Sequence, residues 1–390
     1  MTATDTDLRY IDSDGHILEH PTAMPDYAPA EFRDRIWHIE TDADGNETLH
    51  YNGMVTPANF LAAAGTAGLP DEERERAFRG EMRYTEVRPA AYNAKARLQD
   101  MDEDGIDLAV LYPTLLLGLQ GMADVPFTAA QAHAYNLWAS DHTQEGEGRL
   151  FAAGAVPAMH TPEDVRGVAD EIRVVGEMPG MVSVFMRPNP AVDWRHFNDP
   201  VYDPIWQAGE DTGLPIAFHP FLAPDLPGAC QGLRLPGGVL FSQALANPVD
   251  VMDAMMWITA GGVCERFPGA KFIFLEANGG WVVPWLERLD HHYKIFPFDV
   301  PDLTMAPSEY FRRQCYVSFD ADEETLPLAA QSPYVGAGRI IWASDYPHPD
   351  AKFPGTVAEL LDTIGALGPD DQRAIAADNA RRLYALPDPV

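Results

Sequence analysis

Eight short apolar runs, each of strand length, recur along the chain at residues 8–16, 106–112, 151–156, 181–186, 214–219, 271–276, 315–320 and 340–345. Gly and Pro bound them, and their near-continuous apolar character suits strands buried on both faces. Helical patterns lie between them over 92–104, 127–145, 161–175, 199–212, 240–266, 281–295 and 354–366, with Thr161-Pro162-Glu163-Asp164 as a start signal for the third. Strands that alternate with helices pair in parallel, and eight units point to closure. The expected fold is α/β, a (β/α)8 barrel in one domain over residues 1–390. A doubly wound open sheet is the alternative. It usually carries a Gly-rich phosphate loop after its first strand, and none is present here.

In a parallel barrel the C-terminal ends of all strands open onto one face, which carries the active site. Four runs end there in acidic or imidazole groups: Asp14 and His16 on the first, His219 on the fifth, Glu276 on the sixth and Asp345 on the eighth. Asp14 and His16 are two apart, so a regular strand would show both to the same side. A carboxylate oxygen and an imidazole nitrogen can grip one ion. Asp345 closes an apolar strand, where a buried carboxylate needs a cation or donors beside it. Residues scattered over the whole chain would thus form one metal site.

Two segments interrupt the alternation. Residues 20–92 are far longer than an ordinary βα loop and leave the first strand on the active-site face, as a lid or a dimer contact would. Residues 221–240, rich in Pro and Gly, form a second loop insertion on the same face. Composition narrows the partners. A net charge of −32 disfavours nucleic acid and anionic membranes. No apolar run approaches the length of a membrane span. Residues 1–7 lack the features of a signal peptide. The three cysteines, Cys230, Cys264 and Cys315, suit a reducing compartment, so a cytoplasmic location is expected.

The chain resembles the amidohydrolase-related branch of the amidohydrolase superfamily, metal-dependent enzymes on a distorted (β/α)8 barrel. The likeness rests on Asp12-Ser13-Asp14-Gly15-His16, on residues 98–107, and on Phe218-His219-Pro220. It extends through Glu276-Ala277-Asn278-Gly279-Gly280-Trp281 to Ser344-Asp345-Tyr346-Pro347-His348, the most specific segment. It implies that Asp14 and His16 stand at the first-strand ligand pair, where commoner forms have His-x-His or Glu-x-His. It likewise makes His219 the fifth-strand ligand and Asp345 the eighth-strand carboxylate, which binds metal and can accept a proton from metal-bound water. One departure is Asn278, which stands where decarboxylases of this branch carry a histidine; an amide donates a hydrogen bond but carries no proton. The other is Glu276, two residues earlier. With His292 on the following helix, beside Glu287, Asp290 and His291, it could complete a second metal site like that of the non-haem diiron monooxygenases built on this barrel.

The expected function is hydrolysis of a C–N or C–O bond in a small, partly aromatic organic acid, through water activated by a divalent ion (Zn, Mn or Fe). Asp345, Glu276, Asn278 and His348 are the candidate catalytic residues. Arg187, at the end of the fourth strand, is the candidate for holding a substrate carboxylate, with a structural ion pair as its other reading. A diiron monooxygenase with two Fe, a non-oxidative decarboxylase and a non-catalytic binding barrel are the alternatives. A small-molecule substrate and a homodimer are the expected partners.

Overall fold

The computed structural model describes residues 9–223, 225–230 and 239–387. Its strands in chain order are β1 (Ile11–Ile17), β2 (His38–Thr41), β3 (Glu47–Tyr51), β4 (Met54–Pro57), β5 (Leu108–Pro113) and β6 (Leu150–Ala155). They continue with β7 (Met181–Met186), β8 (Ile216–Phe218), β9 (Phe272–Phe274), β10 (Cys315–Asp320) and β11 (Ile340–Ala343). Eight of them form one parallel sheet in the order β1-β5-β6-β7-β8-β9-β10-β11. Backbone bonds just past β11 close it onto β1: Asp345 N donates to Asp14 O (3.1 Å) and His16 N to Tyr346 O (2.7 Å). The expected parallel barrel is therefore present.

Local chemistry sets the helix ends. Asn93 caps the helix Ala94–Asp104 by accepting from Ala96 N, and Gly105 in a left-handed conformation ends it. Thr161 and Asp164 form the capping box that opens Pro162–Val175. The pattern over 240–266 is not one helix. Asn247–Thr259 and Val263–Arg266 are separate, broken at Gly262, whose φ of +87° is outside the helical range.

Three barrel strands are shorter than their apolar runs, and this positions the site. β8, β9 and β11 end at Phe218, Phe274 and Ala343, so His219, Glu276 and Asp345 stand beyond the ladder. Glu276 (φ +44°), Asn278 (φ +50°) and Asp345 (φ +54°) adopt left-handed conformations. Such conformations are costly for a non-glycine residue and cluster at functional sites.

Residues 20–92 build their own antiparallel sheet, β2-β3-β4, and the helix Asp71–Phe78. The segment lies along the helix Val125–Gln144: Trp37 N donates to Gln131 Oε1 (2.8 Å) and Tyr27 OH to Asp141 Oδ2 (2.8 Å). It also meets the loop after β11, where Ala67 N donates to Pro347 O (3.1 Å). Among the described residues none of 20–92 lines the central cavity, whose rim comes from residues 240–247, 320–322 and 350–359. Of the second insertion, residues 224 and 231–238 lie outside the described residues. No helix of the described residues is long and apolar enough to cross a membrane.

Candidate metal centre

One extra residue in β1 aims its acidic groups two ways. Asp12 pairs with Ala109 but Gly15 with Leu111, a bulge that shifts the register between them. Asp12 turns into the seam with β11, accepting from Ser344 N (3.0 Å) and Ser344 Oγ (2.6 Å). Asp14 and His16 face the mouth. Gly15 has to be glycine, since a Cβ there would lie 2.5 Å from Asp12 Oδ2 and 2.9 Å from Arg97 Nη2.

Four side chains meet at the mouth. His16 Nε2 lies 3.3 Å from His219 Nε2 and 3.3 Å from Asp345 Oδ1. Asp14 Oδ1 lies 3.9 Å from His16 Nε2 and 3.8 Å from His219 Nε2. Both tautomers follow from carbonyl partners, which can only accept: His16 Nδ1 donates to Pro113 O (3.0 Å) and His219 Nδ1 to Pro220 O (2.9 Å). In the neutral rings the two Nε2 lone pairs therefore confront each other. Burial keeps the rings neutral, holding His16 well below the usual histidine range and His219 at about 3. Asp14 Oδ1 is buried with no hydrogen-bond partner. Facing lone pairs and an orphaned carboxylate oxygen are unfavourable until a cation sits among them, so this donor set fits a divalent ion.

Glu276 enters the same mouth, its Oε2 3.1 Å from His219 Nε2. Its only ion-pair partner among the described residues is His219. Burial first, then the charge of Asp345, raises its carboxyl well above the usual range; Asp14 is raised by the same two causes.

Asp345 also touches His348, whose Nδ1 lies 2.7 Å from Asp345 Oδ1. On the far side of that ring, Nε2 lies 3.1 Å from Thr114 Oγ1. The Thr114 hydroxyl donates to Ile17 O (3.1 Å), so it must accept from His348 Nε2–H. Nδ1 of a neutral His348 is then bare, and the contact with Asp345 holds a proton carried by one partner or the other. Asn278 Nδ2 donates to Asp320 Oδ2 (2.6 Å), and both line a cavity of about 310 Å³ that opens above the cluster.

Two expected participants lie elsewhere. Arg187 is fully buried, with Nη1 on Asp225 and Nη2 on Ala223 O (2.9 Å), and it does not line the described cavity. Its structural reading is the one observed. His292 bonds through Nδ1 to Arg288 O (2.9 Å) on its own helix, Val282–Ile295, and Asp290 on that helix is spent on Ser308 (2.9 and 2.7 Å). A second ion held by Glu276 together with His292 is therefore not supported. This corrects the diiron reading: His292 belongs to none of the clusters that could hold an ion among the described residues and does not line the cavity.

The sequence pattern of the family described as "Amidohydrolase" matches residues 11–386. The chain belongs to the amidohydrolase family. This amidohydrolase is 23% identical over 315 residues to the 2-amino-3-carboxymuconate-6-semialdehyde decarboxylase of Dictyostelium discoideum, covering 78% of this chain and 79% of that one. It is 21% identical over 296 residues to the gamma-resorcylate decarboxylase of Polaromonas sp. (strain JS666 / ATCC BAA-500), covering 74% and 86%. Among solved structures it is similar to an amidohydrolase of Mycobacterium avium subsp. paratuberculosis K-10, with TM-score 0.74, 23% identity and coverage of 97% and 99%. It is also similar to a 5-carboxyvanillate decarboxylase of Novosphingobium aromaticivorans DSM 12444 complexed with manganese and 4-hydroxy-3-methoxy-5-nitrobenzoic acid, with TM-score 0.65, 19% identity and coverage of 99% and 98%.

Sequence reasoning did not weigh Thr114, Asp320, or Asp12 as a brace. Thr114 had no local signal, because its partner His348 is 234 positions away. Asp12 had one: it opens the motif that ends in His16. Arg97, also fully enclosed, completes this brace, donating to His16 O (3.1 Å) and Tyr346 O (3.3 Å) and lying 4.0 Å from Asp12 Oδ2. Arg97→Met should destabilise the fold by about 3–5 kcal/mol, because it leaves the Asp12 charge buried without its cation. Chemical denaturation of the variant would show this as a lower midpoint; an unchanged midpoint would mean that Ser344 alone satisfies Asp12.

Glu19 is a separate buried carboxylate. Its Oε1 accepts from Thr114 N (3.2 Å), Leu115 N (2.9 Å) and Leu116 N (2.8 Å), and its Oε2 has no hydrogen-bond partner. Burial raises its pKa from an ordinary 4.5 to about 7. The folded state then binds more protons than the unfolded state between these values. Stability from this group is fully present below pH 4.5 and lost as pH rises through 7. The swing is on the order of 3 kcal/mol. Glu19→Gln should flatten this part of the stability–pH curve, as measured by urea melts at several pH values; an identical slope in the variant would assign it to other groups.

Proposed function

We propose that this amidohydrolase is a metal-dependent, non-oxidative decarboxylase of a small aromatic or conjugated carboxylic acid. Asp14, His16, His219 and Asp345 would hold the ion. It would supply positive charge that helps to orient the anionic substrate and stabilises the negative charge left on the substrate as CO2 departs.

The observation that carries the reading is the 2.7 Å contact between Asp345 Oδ1 and His348 Nδ1, which needs a proton on one of the two. Hydrolysis needs a free base at rest, whereas decarboxylation needs a loaded acid beside the carbon that loses CO2. With Thr114 holding His348 Nε2 as a donor, a proton between Asp345 Oδ1 and His348 Nδ1 would be in place before substrate arrives. In the reaction Asp345 hands that proton to the carbon bearing the carboxylate. The C–C bond breaks, its electron pair stays with the ring or conjugated chain, CO2 leaves, and a solvent proton reloads the pair. The mass balance is an acid anion plus one proton giving the hydrogen-substituted product and CO2. Asn278 need not carry a proton in this scheme; its amide orients Asp320 at the cavity wall. The similarity to two decarboxylases over about three quarters of the chain supports the same class.

The test is a direct one. Manganese-loaded protein is incubated in D2O with hydroxybenzoates and carboxyvanillate, and in parallel with amides and lactones of the same acids. Release of CO2 with one deuterium at the vacated carbon is the expected result. Hydrolysis of the amides or lactones without CO2 release would overturn the proposal in favour of a hydrolase.

A further inference from the structure

The antiparallel sheet of the 20–92 segment carries a group of donors unconnected with the barrel mouth. His38 on β2 and His50 on β3 are directly opposed across the ladder, and Glu40 lies two residues beyond His38 on the same face. The two imidazoles stack with centroids 4.9 Å apart and 10° between planes. His38 Nε2 is 3.8 Å from Glu40 Oε1, and His50 Nε2 is 3.4 Å from Glu40 Oε2. One ligand atom from each of the three residues lies within 4.8 Å of the others.

We propose that His38, Glu40 and His50 form a second divalent-cation site, of the zinc type, on this sheet. The tautomer is already set for it: His38 Nδ1 donates to Ile36 O (2.7 Å), which leaves the Nε2 lone pair directed at the cluster. A backbone carbonyl behind a ligating imidazole is the usual means of orienting one. The platform is rigid. Ile39 and Leu49, the opposed pair between the ligand positions, are buried on the other face, and Ile39 N donates to Pro21 O (2.6 Å). The neighbouring Glu47 is buried and holds Tyr84 N (2.6 Å). Both histidines thus stand on a strand pair that cannot slide.

Two imidazoles and one carboxylate suit zinc, with solvent water as fourth ligand, and would also accept nickel or copper. Tetrahedral bonds of about 2.0–2.1 Å put ligand atoms roughly 3.3 Å apart. His50 and Glu40 are already near that spacing, and the remaining adjustment falls on Glu40, whose side chain is 67% exposed and free to swing. The strongly acidic chain raises the local concentration of any cation. A bound ion would cross-link β2 to β3 and stiffen the segment that reaches the loop after β11 through Ala67 and Pro347.

Zinc binding to the full-length chain distinguishes the outcomes. Titration calorimetry and elemental counting with Zn2+ alone should find two ions per chain in the wild type. His50→Ala should lose one and keep the barrel ion, and His219→Ala should lose the other. Glu40→Gln, at an exposed position that spares the fold, should weaken the same site that His50→Ala removes. One zinc per wild-type chain, or two per chain in His50→Ala, would overturn the proposal. Neither result depends on which reaction the barrel performs.

Discussion

His219→Ala is expected to empty the barrel centre and to lower turnover by about three orders of magnitude or more. The imidazole supplies a neutral nitrogen donor at the mouth, its Nε2 3.3 Å from that of His16. Removing it takes away the nitrogen nearest Glu276 and leaves Asp14, Asp345 and Glu276 crowded together, and loss of a ligand that also separates like charges should abolish tight binding rather than trim it. Metal counted per chain on purified variant, alongside the CO2-release assay, checks both parts. A variant that kept its barrel metal and activity would show that His219 is not a ligand. Dialysis of the wild-type chain against a chelator should give the same loss, reversed by added manganese.

His348→Gln should separate the proton from the metal. His348 lies beside the cluster, near His16 and Asp345, and holds Asp345 Oδ1 at 2.7 Å through Nδ1 and Thr114 Oγ1 at 3.1 Å through Nε2. Glutamine can keep a hydrogen bond to either side but cannot store the proton. The expected result is retention of the barrel metal, a KM within a few-fold of wild type, and a fall in kcat of about 10²–10⁴, the range for general acid–base catalysis. The pH profile of kcat should also lose the limb that belongs to the Asp345–His348 pair. If metal is lost with activity, His348 is itself a ligand; if kcat is unchanged, the proton comes from elsewhere.

Much of the architecture was legible because the local signals were redundant. β7 and β10 occupy the residues expected from their apolar runs, and the helices at 162 and 282 start within a residue of the patterns read over 161–175 and 281–295. The mouth cluster was legible for a different reason. In a parallel barrel, strand order alone brings the C-terminal ends of β1, β8 and β11 to one face, so Asp14, His16, His219 and Asp345 could be grouped from position. The errors lay where direction mattered. Glu276 was expected beside a second ion with His292; instead Glu276, at a positive φ after β9, lies against His219, and His292 bonds to its own helix. Arg187 looked like an open fork and is closed by Asp225.

The sequence by itself determined the alternation of strand and helix, the closure into a barrel and the identity of the groups at its mouth, because periodicity and chain order are properties of neighbours along the chain. Only the tertiary structure decided the chemistry of those groups. It set the tautomers through Pro113 O and Pro220 O, placed Thr114 against His348 Nε2, and left Asp14 Oδ1 without a hydrogen-bond partner. Each of these depends on atoms brought within about 3 Å from distant parts of the chain, where hydrogen bonding and desolvation act and sequence spacing carries no information.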